Sequence, residues 1–93
     1  MLLFEWGTQK AKSNEQKHGI TFDEASTVFE DPLSLTIHDP LHSENEERFT
    51  LIGVSHKNRI LIVVHTERGD NIRIISARKA TKNERSYYES NAQ

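Results

Sequence analysis

The feature that most constrains this 93-residue sequence is a change in the spacing of its apolar side chains at Asp31-Pro32. Before this point apolar residues recur at helical spacing in two short segments. After it they alternate with polar residues, as on a strand with one buried face. Two helices followed by several strands predict an α+β fold in which the helices cover a sheet. The length suits one such core, so we predict a single domain over residues 1–93.

The predicted helices carry recognisable end signals. The first starts near Thr8, its predicted N-cap, and closes at Gly19 in a left-handed glycine cap. The second opens with a capping box at Thr21 to Glu24 and stops before the proline. A further capping box, Thr81 to Glu84, predicts a third helix at the end of the sequence.

Strand signals fill the rest of the chain. Four strands are predicted after the helices, over residues 35–39, 48–55, 59–68 and 71–77, and a short β-prone segment opens the chain at Leu2 to Phe4. His56-Lys57-Asn58 and Gly69-Asp70 are short, turn-like linkers, so the last three strands should form an antiparallel meander. The predicted order is β-α-α-β-β-β-β-α with a mainly antiparallel, twisted sheet.

A two-residue turn at Gly69-Asp70 predicts which side chains share a face of the last hairpin. One face then carries Thr66, Arg68 and Arg73. The other carries His65, Glu67 and Ser76, with Arg78 just beyond the strand. A slip of one residue in the turn would regroup these side chains.

Histidine, glutamate and arginine near this hairpin are the side chains that a metal-free ribonuclease requires. When the 2′-hydroxyl of RNA attacks the neighbouring phosphate, one group takes its proton, another protonates the leaving oxygen, and cations neutralise the phosphate. Charged residues at the end of a strand also occur at solvated sheet edges, where they only form a cross-strand ion pair. The residues alone leave both interpretations open.

Other kinds of site find little support. The chain has no cysteine, which excludes disulfides, thiolate metal sites and a cysteine nucleophile. His38 and His42 are four residues apart, but Pro40 between them indicates a loop and not a helix that could hold a metal. We therefore expect neither a metal nor a cofactor.

The sequence also predicts no membrane segment. Its longest apolar run, Ile60 to Val64, has five residues, against roughly 20 for a bilayer-spanning helix. The first residues lack the basic start and apolar stretch of a signal peptide, so we expect a cytoplasmic protein.

Charge is divided unevenly along the chain. Residues 1–47 hold ten acidic and three basic side chains, for a charge of −7, whereas residues 48–93 hold nine basic and four acidic ones, for +5. Five of the later basic residues between Arg59 and Arg85 are arginines, whose planar fork suits phosphate. Either a basic face exists, or the two halves pair with each other across the fold.

Along nearly the whole chain, short sequence stretches occur that are found in the same order in a known family. In the first half they are Glu5-Trp6, Lys10-Ala11, Asn14, Lys17-His18-Gly19, Phe22, Glu24-Ala25, Val28-Phe29 and Asp31-Pro32. In the second half they are His42-Ser43, Glu46-Glu47-Arg48, Ile52-Gly53, Ser55, Arg59, Thr66-Glu67-Arg68, Ile72 to Arg78, Ala80-Thr81, Glu84-Arg85 and Tyr88. Together they resemble the BrnT family of type II toxins. The chain departs from the family at Gly7-Thr8, where a helix starter is usual, and at Asn58, where glycine is frequent.

The resemblance implies a small bacterial toxin with a RelE-like fold that cleaves RNA and so inhibits translation. It also implies a BrnA-type antitoxin as partner, in a complex of two toxins and two antitoxins that dimerises through the antitoxin. Operator DNA would then be reached only through the antitoxin, and the toxin would act as a corepressor by attachment.

Carried onto this sequence, the resemblance indicates candidate site residues. The catalytic candidates are Arg68, Glu67, Arg78 and His65. The candidates for RNA binding are Arg73, Lys79, Arg85, Tyr88 and Arg59. In this hypothesis Arg68 and Arg78 bind the scissile phosphate while Glu67 or His65 handles a proton. Alternatively, Arg73 and Arg78 hold the sheet to the last helix through Glu84 or Glu89.

A second function fits the same sequence. The chain could be a toxin-like interaction module that cuts nothing and acts only as antitoxin partner and corepressor. The charge of −7 on residues 1–47 would suit the docking of a basic partner.

Overall fold

The computed structural model describes residues 2–43 and 46–91. Its regular elements are β1 (Leu3–Glu5), α1 (Thr8–His18), α2 (Phe22–Thr27), a 3-10 turn (Val28–Glu30), β2 (Leu35–Asp39), a second 3-10 turn (Pro40–His42), β3 (Arg48–Val54), β4 (Ile60–Arg68), β5 (Asn71–Lys79) and α3 (Lys82–Asn91). This order confirms the predicted α+β fold. The largest shift of a strand end is at β5, which is two residues longer than predicted.

The five strands form one sheet in the order β1-β5-β4-β3-β2. Strands β2 to β5 pair antiparallel, and β3, β4 and β5 form the predicted meander. In the described part of the chain, only β1 pairs in parallel, with β5. The sheet is therefore mainly antiparallel, as predicted.

Helix α1 begins differently from the prediction. Gly7, in an extended conformation, is the N-cap and makes no side-chain bond, whereas Thr8 is the first helical residue. The prediction of Thr8 as N-cap was therefore wrong. The C-terminal prediction is confirmed, because Gly19 adopts a left-handed φ of 71° and its N–H donates to Glu15 O at 2.8 Å.

Both predicted capping boxes are present at the starts of α2 and α3. Thr21 Oγ1 accepts a hydrogen bond from Glu24 N at 3.1 Å. At α3, Thr81 Oγ1 accepts from Glu84 N at 3.2 Å while Thr81 N donates to Glu84 Oε1 at 2.8 Å. Each box satisfies backbone N–H groups that a helix start otherwise leaves without a partner.

The hairpin turns agree with the prediction. Gly69 and Asn58 have φ values of 63° and 61°, the left-handed region that glycine and asparagine tolerate. Arg68 pairs with Asn71 across the two-residue turn, and Thr66 pairs with Arg73. The shared face of Thr66, Arg68 and Arg73 is thus confirmed.

A β-bulge corrects the predicted position of two later residues. The register shifts between Val64 and His65, so Val64 pairs with Ser76 and leaves Ile75 as an extra residue. Because side chains alternate along a strand, the extra residue reverses the face on which each later residue of β5 lies. Ser76 and Arg78 therefore lie opposite to the face of His65, contrary to the prediction, and Arg78 lies inside β5 and not beyond it.

Helices α1 and α2 cover one face of the sheet, which we call the helix face. The core between them is formed by Ile20, Phe22, Ala25, Val28, Leu51, Leu61, Val63, Ile72, Ile74 and Ala77. Asn14 ties α1 to β5, since its amide donates to Ala77 O at 2.8 Å and accepts from Ala77 N at 3.0 Å. These bonds satisfy the amide group of a residue buried in an apolar core.

The opposite face, which we call the open face, is only partly covered. Helix α3 packs on it through a small second core of Ile52, Ile62, Ala80 and Tyr88. This core lies toward one end of β3 and β4. The other end, near the β4–β5 turn, carries polar and charged side chains and forms the candidate site.

Candidate active site

A row of polar residues crosses the open face from one edge of the sheet to the other. Strand register places Asp39, Arg48, Thr66, Arg73 and Glu5 side by side on β2, β3, β4, β5 and β1. Directly paired residues of neighbouring strands point to the same face, so these five side chains share one surface.

An open cleft of about 490 Å³ lies over the middle of this row. Its lining consists of Lys10, Leu41, His42, Glu46, Arg48, Thr66, Arg73, Ile74 and Ile75. Two features thus meet here, the polar row and the bulge at Ile75. Bulges are common beside active sites, where they redirect side chains.

Three cations line the cleft without a salt bridge. Within residues 2–43 and 46–91, no carboxylate oxygen lies within 4 Å of the charged nitrogens of Lys10, Arg48 or Arg73. Among the described residues, the lining holds one carboxylate, that of Glu46. The arrangement favours a polyanion, and two of the three cations are arginines, which can bind phosphate with two parallel hydrogen bonds.

Arg68 lies on the open face beside the cleft, and its guanidinium is already hydrogen-bonded to two glutamates. It donates from Nε and Nη2 to the two oxygens of Glu46, at 2.5 and 2.7 Å, and from Nη1 to Glu5 at 3.4 Å. The hydrogen bond from Arg68 is the main reason that the pKa of Glu46 is lowered. Glu46 of the cleft lining thus pairs with a basic residue that lies just beside the cleft.

Thr66 lies between the two arginines of the row and is 3% exposed. Its hydroxyl has no hydrogen-bond partner among the residues that the structure describes. A buried polar group without a partner is rare, because it loses its bonds to water and gains nothing in return.

His42 places an imidazole in the lining of the cleft. Its Nδ1 lies 2.8 Å from Asp39 Oδ2, and this hydrogen bond is the largest cause of the lowered pKa of Asp39. Ser43 holds the turn in place, since its hydroxyl donates to Asp39 O and accepts from Arg48 N at 2.9 Å. The tautomer with its hydrogen on Nδ1 donates to this carboxylate and leaves Nε2 as the acceptor nitrogen of the ring.

The predicted catalytic residues do not meet at one place. His65 and Glu67 lie on the helix face, with His65 Nε2 and Glu67 Oε2 3.1 Å apart. The His65 ring is 0% exposed and packs between Phe29 and Phe49, with ring centroids 4.9 and 5.7 Å away. It is separated from the cleft by the sheet.

Arg78 lies on the open face but far from Arg68. It pairs with Ile62, six residues along β4, which corresponds to roughly 20 Å at about 3.3 Å per residue. Its guanidinium binds both oxygens of Glu84, at 2.7 and 2.9 Å, and this contact is the main reason that the pKa of Glu84 falls to about 2. One phosphate cannot contact both arginines, and the alternative bond from Arg78 to the last helix is present.

Two of the predicted RNA-binding residues make structural contacts. The guanidinium of Arg59 binds Glu24, which is 1% exposed on α2. Burial raises the pKa of Glu24, but hydrogen bonds from Arg59 and Ser55 outweigh it and lower the pKa overall. Tyr88 is buried and donates to Asp31 Oδ2 at 2.5 Å. Neither contact tests RNA binding, which stays a prediction for both.

The other RNA-binding candidates lie at three places. Arg73 lines the cleft, Lys79 is exposed at the end of β5, and Arg85 is exposed on α3. Of the nine predicted site residues, only Arg73 and Arg68 are at or beside the cleft.

The set of predicted site residues missed five polar residues of the cleft, namely Lys10, His42, Glu46, Arg48 and Thr66. A signal existed for some of them, because His42 and Arg48 lie in stretches that resemble the family. Their convergence depends on the pairing of β2 with β3, which no local pattern predicts. The two halves of the chain also pair across the fold, through Glu24–Arg59, Glu46–Arg68 and Glu5–Arg68.

The described residues show neither a metal centre nor a membrane-spanning helix. Among the residues described, no three histidine, aspartate or glutamate side chains group as metal ligands would. None of the helices in the same residues is long and apolar enough to cross a membrane.

Comparison with known proteins points in one direction. A family model described as the ribonuclease toxin BrnT of a type II toxin-antitoxin system matches residues 6–84. The crystal structure of the Brucella abortus ribonuclease toxin BrnT is similar over 88% of this chain and 100% of that chain, with a TM-score of 0.64 and 21% sequence identity. At this identity the likeness shows a shared fold. No curated protein matches the chain.

Proposed function

The chain belongs to the BrnT family of type II ribonuclease toxins, and from this premise we propose that it cleaves RNA in the cleft of the open face. The observation that carries the proposal is the set of three cations, Lys10, Arg48 and Arg73, over one cleft without salt bridges among the described residues. RNA is a polyanion, and such a set attracts and orients its phosphates.

The reaction that these side chains support is an internal transfer. The 2′-hydroxyl oxygen attacks the adjacent phosphorus, the bond from phosphorus to the 5′ oxygen breaks, and a cyclic phosphate is left. His42, oriented by Asp39, takes the proton of the 2′-hydroxyl, and the arginines stabilise the charge that develops on the phosphate oxygens. The departing 5′ oxygen takes its proton from a solvent water, since the cleft is open, and His42 afterwards returns its proton to solvent. Acid–base assistance of this kind is worth about 10²- to 10⁴-fold in rate.

Arg68 keeps a place in this proposal. It lies beside the cleft, and its partner Glu46 belongs to the lining, so incoming RNA competes with Glu46 for the guanidinium. Glu67, His65 and Arg78 are elsewhere in the fold. We propose that they stabilise the protein and do not contact the scissile phosphate.

Family membership supports the biological part of the proposal. As the toxin of a type II system, the chain has an antitoxin as partner. We propose that this antitoxin is of the BrnA type, that two copies of each form the complex, and that operator DNA is bound only through the antitoxin. Cleavage of cellular RNA in the bacterial cytoplasm would then inhibit translation.

The test is induction of the chain in a bacterium, with growth and primer-extension mapping of RNA ends as readouts. Arg73→Ala should abolish both growth arrest and new RNA ends, because it removes a cation from the cleft. Lys82→Ala, a matched loss of one exposed positive charge on α3, should behave as the unmodified chain does. If Arg73→Ala still cuts while Arg78→Ala or Glu67→Gln is folded and inactive, the site lies elsewhere.

The non-catalytic interaction module is the second candidate. One observation favours it, namely that Glu46 masks Arg68 at the side of the cleft. A module of this kind would bind the antitoxin tightly, yet induction would neither stop growth nor leave new RNA ends. RNA binding also separates the two, since a phosphate-binding cleft loses affinity steeply as salt is raised.

A further inference from the structure

The centre of the polar row has the features of an anion-binding site. Arg48, Thr66 and Arg73 are directly paired on three consecutive strands, so the hydroxyl lies between two guanidinium-bearing side chains. Adjacent strands are about 4.8 Å apart, which places the two arginine Cα atoms roughly 10 Å from each other. Two flexible arginine side chains can close over a single tetrahedral anion across such a span.

The unpaired hydroxyl of Thr66 is an independent observation that points to a ligand. Three other threonine hydroxyls of the fold have partners. Thr21 and Thr81 cap helices, and Thr27 donates to Glu24 O at 2.6 Å and accepts from His56 N at 2.9 Å. Within the described part of the chain, the other unpaired buried side-chain atom is His65 Nδ1, on the helix face and away from the cleft.

We propose that Arg48, Thr66 and Arg73 form a subsite for one phosphodiester group of RNA. The hydroxyl of Thr66 donates to a non-bridging phosphate oxygen, and the flanking guanidinium groups bind the same group from both sides. This proposal rests on the proposed function, and it deepens it by naming where a phosphate binds. A valine would fill the same space without leaving a hydroxyl unpaired. The free-energy cost of keeping the threonine hydroxyl therefore indicates that this hydroxyl has a use.

Binding at this subsite requires a small local movement. In the present conformation Thr66 Oγ1 has almost no exposed surface. A phosphate therefore reaches it only when the side chain turns about its Cα–Cβ bond or an arginine moves aside. Both movements are rotations between ordinary side-chain conformers, and the cleft is open on their solvent side.

The experiment uses a hexanucleotide of mixed sequence with 2′-O-methyl groups, which lacks the attacking hydroxyl and so cannot be cleaved by internal transfer. Its Kd is measured by fluorescence anisotropy at several salt concentrations for the unmodified chain, Thr66→Val, Thr66→Ser and Thr50→Val. Thr50 is the matched control, because it is a threonine on the open face of β3 that lies outside the cleft.

Thr66→Val should weaken binding by about 10- to 100-fold, the value of a hydrogen bond to a charged group. Thr66→Ser should restore most of the affinity, and Thr50→Val should change nothing. Thr66→Val should also leave the salt dependence unaltered, since it removes no charge. Arg48→Ala and Arg73→Ala should each lower the slope of log K against log salt by about 0.7.

The outcomes separate the subsite from the function. If the unmodified chain binds the oligonucleotide and Thr66→Val binds it equally well, the subsite is wrong while the ribonuclease proposal stands. If the unmodified chain neither binds RNA nor leaves new RNA ends in cells, both fail. If Thr66→Val and Thr50→Val weaken binding equally, the effect is not specific to the subsite, and the inference is overturned.

Discussion

Replacing Thr66 by valine should make the protein more stable even though it removes a group that we assign to RNA binding. The two side chains have nearly the same shape, so the change leaves no cavity. The group that disappears is a buried hydroxyl without a partner among the described residues. Leaving such a group unpaired costs about 1–3 kcal/mol, and we expect Thr66→Val to recover about 1–2 kcal/mol of it.

The gain is large enough to measure. For a domain of this size 1 kcal/mol moves the Tm by about 4–8 °C, so a gain of about 1–2 kcal/mol should raise the Tm of Thr66→Val by roughly 4–16 °C. Urea denaturation monitored by circular dichroism should show a higher midpoint with an unchanged slope, because the surface exposed on unfolding is the same.

A second threonine supplies the opposite control. Thr27 has a hydroxyl with two partners, the carbonyl of Glu24 and the N–H of His56. Thr27→Val should therefore destabilise the protein by about 1 kcal/mol, since it removes hydrogen bonds that Thr66 lacks. If Thr66→Val lowers the midpoint as Thr27→Val does, the Thr66 hydroxyl has a partner in the folded protein, and the argument for a phosphate subsite loses its basis.

Four further predictions concern the contacts of the site and of α3. His42→Gln should reduce RNA cleavage by about 10²-fold or more at unchanged Tm, and a matched loss of both would show a structural role instead. Arg78→Ala should cost about 1 kcal/mol, as expected for a partly exposed ion pair, with RNA cleavage retained in the primer-extension assay. The pKa of Glu84 is lowered from 4.5 to about 2, so its contribution to stability is full above pH 4.5 and lost as the pH falls toward 2. The urea midpoints of Glu84→Gln and of the unmodified chain should therefore converge as the pH falls from 4.5 to 2. Burial, and then the hydrogen bond to Asp31, raises the pKa of Tyr88 from 10 to about 12. Tyr88→Phe should therefore remove a contribution to stability that is present below pH 10 and lost as the pH rises toward 12. Urea midpoints measured between pH 10 and 12 would show this loss.

The order and type of the elements could be predicted because their signals are local. A capping box depends on two side chains three positions apart, and the second and third helices begin where Thr21 and Thr81 predict. Apolar–polar alternation along β3 to β5, with short turns between these strands, was sufficient to predict the antiparallel meander. The prediction of Thr8 as the N-cap of α1 was wrong for a local reason too. Gly7, in an extended conformation, is the N-cap, and it makes no side-chain hydrogen bond.

The candidate site could be predicted only in part. Arg68 and Arg73 were placed correctly on one face, because a two-residue turn decides the pairing near it. Arg78 was placed on the wrong face, because one bulged residue, Ile75, reverses the alternation and carries no mark in the sequence. His65 looked like an acid–base group by its type, whereas its position between two aromatic rings is a matter of packing.

The sequence by itself determined the periods of its apolar residues, the caps and turns, the absence of cysteine, and the family to which the chain belongs. These depend on side chains within a few positions of one another, or on their order along the chain. Only the tertiary structure decided that Lys10, His42, Arg48, Thr66 and Arg73 line one cleft. They come from α1, a 3-10 turn and three strands. The register that brings them together is decided by which faces can be buried, a property of the whole sheet.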